Sequence, residues 1–279
     1  MLKRTITAIV LTLVILPICI FSDTFVLPAA VAVLSFLAVY EMLGCIGVRA
    51  LYPISVPALA LAAAAPLSVR FFESQYVFTS FYTLVMFLYL VYLLACGVFS
   101  HGKLELERLC TAFTTVLYIV TAFSAMILLR DRPFGVYLLC MTLFGPWVSD
   151  VFAYLTGYLF GKHKLIPDIS PHKTVEGALG GVAFCSIAAV LYGYILAQLD
   201  TSISFVGYLP LAVAGVIISA VSQVGDLIAS YIKRRYGVKD YGFILPGHGG
   251  IMDRFDSVIG VVPLIVILGE FPGVFKFVV

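Results

Sequence analysis

Apolar stretches roughly twenty residues long follow one another almost end to end through this chain, parted only by short polar breaks. A bilayer core about 30 Å thick is crossed by roughly 20 apolar residues in a helix. Inside hydrocarbon a segment must also satisfy its own backbone N–H and C=O groups, and a helix does so within itself. Composition agrees: 62% of the 279 residues are hydrophobic and 11% charged, with a mean hydropathy of +1.10, where soluble domains carry about one quarter charged residues. The expected fold is all-α, a polytopic integral membrane protein with about nine transmembrane helices. They are placed to begin near Thr5, Thr24, Leu51, Tyr76, Cys110, Pro133, Glu176, Phe205 and Phe255. No small-residue cleavage site follows Phe21, so the opening MLKR and its apolar run read as an uncleaved first helix rather than a signal peptide.

The formal net charge of +2 gives no reason to expect nucleic acid as a partner. Its distribution says more. With a cytoplasmic N-terminus and alternating spans, Lys3, Arg4, Arg49, Lys103, Arg108, Lys162, Lys164, Lys173, Lys233, Arg234, Arg235, Lys239 and Arg254 all fall inside, and only Arg70, Arg130, Arg132 and Lys276 outside. That asymmetry follows the positive-inside rule and puts the charged C-terminal segment in the cytoplasm. Short loops and the lack of targeting extensions point to a bacterial inner (plasma) membrane. Cys19, Cys45, Cys96, Cys110, Cys140 and Cys185 lie in or beside apolar runs without CxxC or Cys/His spacing, and read as small core residues.

One membrane domain is expected, in two parts. Residues 1–132 hold hardly a polar cluster and read as N-terminal scaffold helices, a candidate homodimer surface. Residues 133–279 read as the catalytic region, with polar and glycine residues gathered at Asp150 to Lys164, Ser170 to Gly181 and Ser222 to Asp256.

Helical spacing puts Ser222, Asp226, Ser230 and Lys233 on one face. A carboxylate in a membrane helix costs roughly 2.5–3.5 kcal/mol on insertion scales and is expected to face a cavity or a partner; a structural pairing of Asp226 with Lys233 or Arg234 is the plain alternative. In Lys233 to Asp256, Gly237, Gly242, Gly247, Gly249 and Gly250 permit positive φ and close approach of backbone amides to an anion. Lys233, Arg234, Arg235, Lys239 and Arg254 supply positive charge to this cradle. Asp253 and Asp256, three apart on one helix face, are hard donors suited to Mg²⁺ rather than zinc. An ordinary solvated loop would account for the basic residues alone. His248 is open between general base, phosphate ligand and turn residue, while His101, His163 and His172 fit plain surface roles. Before the helix near Glu176, Thr174 reads either as its cap or, with Ser170 and Lys173, as a phosphate ligand. Asp150 is a further carboxylate at or near membrane depth.

These residues resemble the phosphatidate cytidylyltransferases, or CDP-diacylglycerol synthases. The resemblance rests on Ser230-x-Ile232-Lys233-Arg234, then Lys239-Asp240-x-Gly242, then Leu245-Pro246-x-His248-Gly249-Gly250-Ile251-x-Asp253-Arg254-Phe255-Asp256. Gln223-x-Gly225-Asp226, Ser170-Pro171-x-Lys173-Thr174-x-Glu176-Gly177 and Asp150-x-x-Ala153-Tyr154 extend it, so the likeness in detail covers roughly Trp147 to Asp256. His172, Ala229 and Tyr158 depart from the usual pattern, which concerns substrate contact rather than the reaction.

The resemblance implies conversion of CTP and phosphatidate to CDP-diacylglycerol and pyrophosphate. It assigns Mg²⁺ to Asp226 and Asp253, and allows a second, monovalent ion such as K⁺ nearby. Lys233, Arg234, Lys239, His248 and Arg254 become candidates for phosphate contact beside Ser170, Lys173, Thr174, Ser230, Gly249 and Gly250. Asp240 and Asp256 would order the cradle or complete the metal shell, and Asp226, Asp253, Lys239 and His248 are the expected catalytic set. No covalent enzyme intermediate is required, because the lipid phosphate is itself the nucleophile. A CTP-dependent lipid kinase would leave CDP instead of pyrophosphate. A transporter would scatter carboxylates over several spans, unlike this chain.

Overall fold

The structure is a computed structural model that describes residues 13, 17–101, 103–199, 207–245, 247 and 249–268. Its helices are α1 (Val26–Cys45), α2 (Tyr52–Ser68, extended by a 3₁₀ turn Val69–Phe71), α3 (Gln75–Phe99), α4 (Leu106–Arg130), α5 (Gly135–Phe160), α6 (Val175–Leu199), α7 (Tyr208–Arg235) and α8 (Met252–Leu268). Among the described residues seven helices, α1 to α7, are long and apolar enough to cross a membrane. They match seven of the nine expected spans. The span placed near Thr5 lies largely outside the described residues, and α8 is described over 17 residues. The all-α expectation holds with one addition that hydropathy did not reveal, a two-stranded antiparallel hairpin, β1 (Lys164–Ile166) and β2 (Ser170–Thr174).

Contacts gather the chain into two compact units, residues 1–128 with 235–255 and residues 129–234 with 256–279. In the first unit Met42, Leu43, Ile54, Leu93, Ile119 and Phe123 are fully buried. Helix α4 is largely buried and α3 largely exposed along its apolar face. The break after α1 has a local cause. Gly47 adopts φ +74°, so that Val48 N–H reaches Leu43 O at 3.0 Å and Gly47 N–H reaches Gly44 O at 3.2 Å, the double closure of a Schellman cap. Arg49 then folds back over the Tyr40 ring, 4.5 Å from its centroid. At the far end of α2, Arg70 donates to Ser22 O at 2.7 Å and to Thr24 O, tying α2 to the segment before α1.

The second unit is held by close backbone approach and short polar ties, the forces left to helices in lipid, where apolar contact alone gives little net attraction. Ala153 and Gly157 of α5 meet Gly177 of α6, Ala153 also meets Gly181, and Gly161 just past α5 meets Thr174. A methyl group at Gly177 would stand 2.6 Å from Ala153 O and 3.1 Å from Gly157 Cα. Gly215 of α7 lies against α6 in the same way, where a Cβ would come within 2.7 Å of Cys185 O. Ser149 and Ser219 share a hydrogen bond of 2.6 Å. Gln223 donates to Ala178 O at 3.1 Å and to Ser219 Oγ at 3.0 Å, and Ser186 donates to Ala212 O at 2.9 Å.

The hairpin fills the polar gap between α5 and α6. Pro167 and Asp168 suit its turn, Lys164 pairs with Thr174 and Ile166 with Ser170, and Val175 N–H closes on His163 O at 2.9 Å. Thr174 then caps α6, its Oγ1 accepting from Gly177 N–H at 3.1 Å. The replacement Gly177→Ala is expected to destabilise the protein by about 1–3 kcal/mol through overpacking. A lower thermal midpoint in detergent, read by size-exclusion of the heated protein, checks it.

Candidate active site

The second unit contains a polar cavity of about 510 Å³. Helix α5 contributes Asp150 and the hairpin contributes Lys164, His172, Lys173 and Thr174. From α7 come Gln223 and Asp226. The tight α5–α6 crossing makes the wall on that side thin, because Gly157, Gly161 and Gly177 present no side chain there.

Lys173 and Asp226 form an ion pair within this cavity, each side chain about 27% exposed. The partner of Asp226 is thus a residue of β2, a different element from the Lys233 and Arg234 considered on sequence grounds. Asp150 and Asp256 both feel the negative charge of Asp226, and Asp256 feels Lys233 as well. Three carboxylates and two lysines therefore share one electrostatic neighbourhood. Asp256 also accepts from Ser257 N–H at 2.8 Å. Gly225 lets α7 pass close to it, since a Cβ there would stand 2.7 Å from Asp256 O.

The hairpin that carries Lys173 is anchored on both sides. Glu176 accepts from Lys162 N–H at 3.1 Å and His163 N–H at 3.2 Å, and meets His163 Nδ1 at 2.5 Å. Arg234 makes a long contact of 3.5 Å to Ile169 O. Of the two readings of Thr174, the cap is realised in the hydrogen bond to Gly177 N–H, and the same residue also lines the cavity. Ser230 is half-buried on α7, and Ser222, one turn before Asp226, is buried with no hydrogen-bond partner among the described residues.

In the first unit the glycine-rich segment has a different organisation. Gly237, Gly247 and Gly249 adopt φ of +66°, +79° and +82°, as expected of residues chosen for backbone freedom. Gly242 and Gly250 do not, which corrects the sequence reading of all five. They are glycine because a carboxylate packs against them. A Cβ would stand 2.7 Å from Glu41 Cδ at Gly242 and 2.5 Å at Gly250. Leu245 N–H donates to Gly249 O at 2.9 Å, and Lys239, Asp240 and Arg254 are exposed.

Asp253 Oδ2 accepts from Tyr241 N–H at 2.9 Å and from Gly250 N–H at 3.0 Å. Glu41 accepts from Ile251 N–H at 3.1 Å and from Met252 N–H at 2.9 Å. Four amides that an anion cradle would offer are thus already engaged by the protein's own carboxylates. The charge of the cradle rests on its side chains.

The sequence candidates consequently divide. Ser170, Lys173, Thr174, Asp226, Ser230, Lys233, Arg234 and Asp256 belong to the second unit, and Lys239, Asp240, Gly249, Gly250, Asp253 and Arg254 to the first. His248 lies outside the described residues. Glu41 escaped sequence reasoning, which treated the first helices as featureless. A signal existed: Glu41 is the one acidic or basic residue of the Val26–Cys45 run. A lone carboxylate in a membrane helix calls for a partner.

The donor chemistry fits a hard divalent cation, because the acidic groups around Asp226 offer carboxylate oxygens and no thiolate. Among the described residues no three His, Cys, Asp or Glu converge as a metal-binding group; the cation that engages Asp226 is the Lys173 ammonium.

The sequence profile of the cytidylyltransferase family matches residues 2–271. The chain is 35% identical over 266 residues to the phosphatidate cytidylyltransferase of Staphylococcus haemolyticus strain JCSC1435, covering 95% of this chain and 97% of that one. With the phosphatidate cytidylyltransferase of Staphylococcus aureus strain COL the identity is 34% over the same coverage. This membrane protein, with its polar cavity built at the ends of three spanning helices, belongs to the cytidylyltransferase family and is a nucleotidyltransferase.

Proposed function

We propose that this protein transfers the cytidylyl group of CTP to phosphatidate, giving CDP-diacylglycerol and pyrophosphate. The observation that carries the reading is the Lys173–Asp226 pair in the cavity at the ends of the spanning helices, in a chain of this family. A salt bridge placed there has two uses. It lets a carboxylate reside in the membrane without a metal, and it holds an ammonium ready for a phosphate. Lys173 is placed to turn to an anionic substrate, and the Asp226 carboxylate it leaves would then be available to hold a cation.

In the reaction an oxygen of the phosphatidate phosphate attacks the α-phosphorus of CTP. The bond between that phosphorus and the oxygen bridging to the β-phosphate breaks, and pyrophosphate leaves with the electron pair. The nucleophile is already anionic, so the protein supplies alignment and charge neutralisation rather than a base. Lys173 and Lys233 act on phosphate charge in the second unit, and Lys239 and Arg254 in the first. The roles of Ser170, Ser230, Arg234 and His248 in phosphate contact are part of this proposal, as is the ordering role of Asp240.

The resemblance assigns Mg²⁺ to Asp226 and Asp253, with Asp256 close to the former and a monovalent ion such as K⁺ nearby. When bound, Mg²⁺ would neutralise phosphate and leaving-group charge. Asp253 Oδ2 already holds two amides, so this side chain orders its loop and would, with Asp226, hold the metal.

The positive-inside asymmetry supports a cytoplasmic N-terminus and active site. Together with the bacterial relatives it supports an inner (plasma) membrane location. Dimerisation through the first helices is part of this proposal, with the exposed apolar side chains of α3 as its candidate surface.

Purified protein given labelled CTP, phosphatidate and Mg²⁺ is expected to release pyrophosphate and form a CDP-lipid. Release of CDP with a newly phosphorylated lipid would identify a lipid kinase instead. Asp226→Asn and Asp253→Asn should each lower kcat by at least a hundredfold with expression intact, and chelation by EDTA should abolish turnover until Mg²⁺ is restored. Near-normal rates in either variant would remove that residue from the metal assignment. A mass measurement in mild detergent should return twice the 30.3 kDa chain; monomer alone would dispose of the dimer.

A further inference from the structure

By sequence Glu41 lies in the scaffold half of the chain; in space it belongs to the end of the glycine-rich segment, at Ile251 and Met252. Its side chain is 3% exposed. Each carboxylate oxygen takes one amide, Oε1 from Ile251 and Oε2 from Met252, across 210 and 211 residues of chain. These are the two N–H groups at the entrance to α8, where unsatisfied donors and the positive end of the helix dipole favour an anion. Gly250 and Gly242 close over the same carboxylate from two sides, and neither tolerates a Cβ without displacing it. Immediately beside it, Asp253 takes the amides of Gly250 and Tyr241. Three consecutive amides, at Gly250, Ile251 and Met252, are thus divided between two carboxylates.

We infer that Glu41 is a positioning residue for nucleotidyl transfer. It clamps the segment that bears Lys239, Asp240, Asp253 and Arg254, setting the backbone from which they project. Glu41 does not touch substrate; it acts by holding the backbone on either side of Asp253. A neutral amide in its place would keep one acceptor and turn an NH₂ group toward an N–H donor, so one half of the clamp would be lost with little change in volume. The inference rests on the cytidylyltransferase reading for its kinetic consequence, but the clamp itself is readable without turnover.

Glu41→Gln is the direct test, with wild type measured alongside. Expected are a folded, monodisperse protein, at least tenfold faster amide hydrogen exchange in the peptide covering residues 241–255, and a kcat reduced at least tenfold with the phosphatidate KM within twofold. Gly242→Ala reaches the same contact by pushing on the carboxylate while leaving Glu41 in place, and should reproduce both effects. A double-mutant cycle of Glu41→Ala with Gly250→Ala should be strongly non-additive, because removing the carboxylate makes room for the new methyl. Unchanged exchange in folded Glu41→Gln or Gly242→Ala overturns the clamp whatever the reaction proves to be. Faster exchange with kcat within twofold of wild type overturns the positioning role, as does a fall in kcat no larger than the loss of folded protein. A wild-type protein that makes no CDP-lipid would count against the proposed reaction, with the exchange data still deciding the clamp.

Discussion

A charged or backbone polar group carried into the membrane must find its partner inside the protein, because a helix in hydrocarbon has no water to turn to. For the backbone the demand is met within each helix. For the few charged side chains and for the non-helical segments it is met by specific pairing. Asp226 takes Lys173; Glu41 takes two amides at the start of α8; Asp253 takes two more from the preceding loop. The places where these demands are met coincide with the segments that carry the family resemblance.

Glycine serves this arrangement in two physically distinct ways. At Gly47, Gly237, Gly247 and Gly249 it supplies a left-handed backbone conformation. At Gly177, Gly215, Gly242 and Gly250 it supplies space, letting a helix or a carboxylate come closer than any side chain would allow. The second use explains how α5 and α6 pack closely enough to form the wall of a polar cavity while Thr174 begins α6 at that cavity's edge. Small residues bring the backbones together, and the hydroxyl and amide ties of Ser149, Ser219 and Gln223 give the contact direction.

The electrostatic character of the cavity follows from the same economy of charge. Its acidic residues come from spanning helices, Asp150 from α5 and Asp226 from α7, whereas its basic residues Lys164 and Lys173 come from the hairpin. Carboxylates lie where the helices fix them, and ammonium groups lie on a short element with long, adaptable side chains. Such a division suits a site that alternates between internal ion pairing and the capture of phosphate.

Hydropathy and charge in the sequence were enough to place seven of the helices, because the length of an apolar run is a local property that the bilayer thickness reads directly. Motif spacing likewise marked Asp226, Lys173, Asp253 and the glycine-rich segment, and a cap was one of the two readings open for Thr174 from its position before Glu176. Partner choice was not legible in this way. That Asp226 pairs with Lys173 rather than Lys233 or Arg234, that Gly242 and Gly250 are small for the sake of Glu41, and that residues 164–174 form a hairpin all depend on which surfaces meet after folding. Glu41 is the plainest case: the sequence determined that a carboxylate stood alone in an apolar helix, and only the tertiary structure decided that its partners were two backbone amides more than two hundred residues away, because a carboxylate buried in a low-dielectric interior is stable only where folding delivers donors to it.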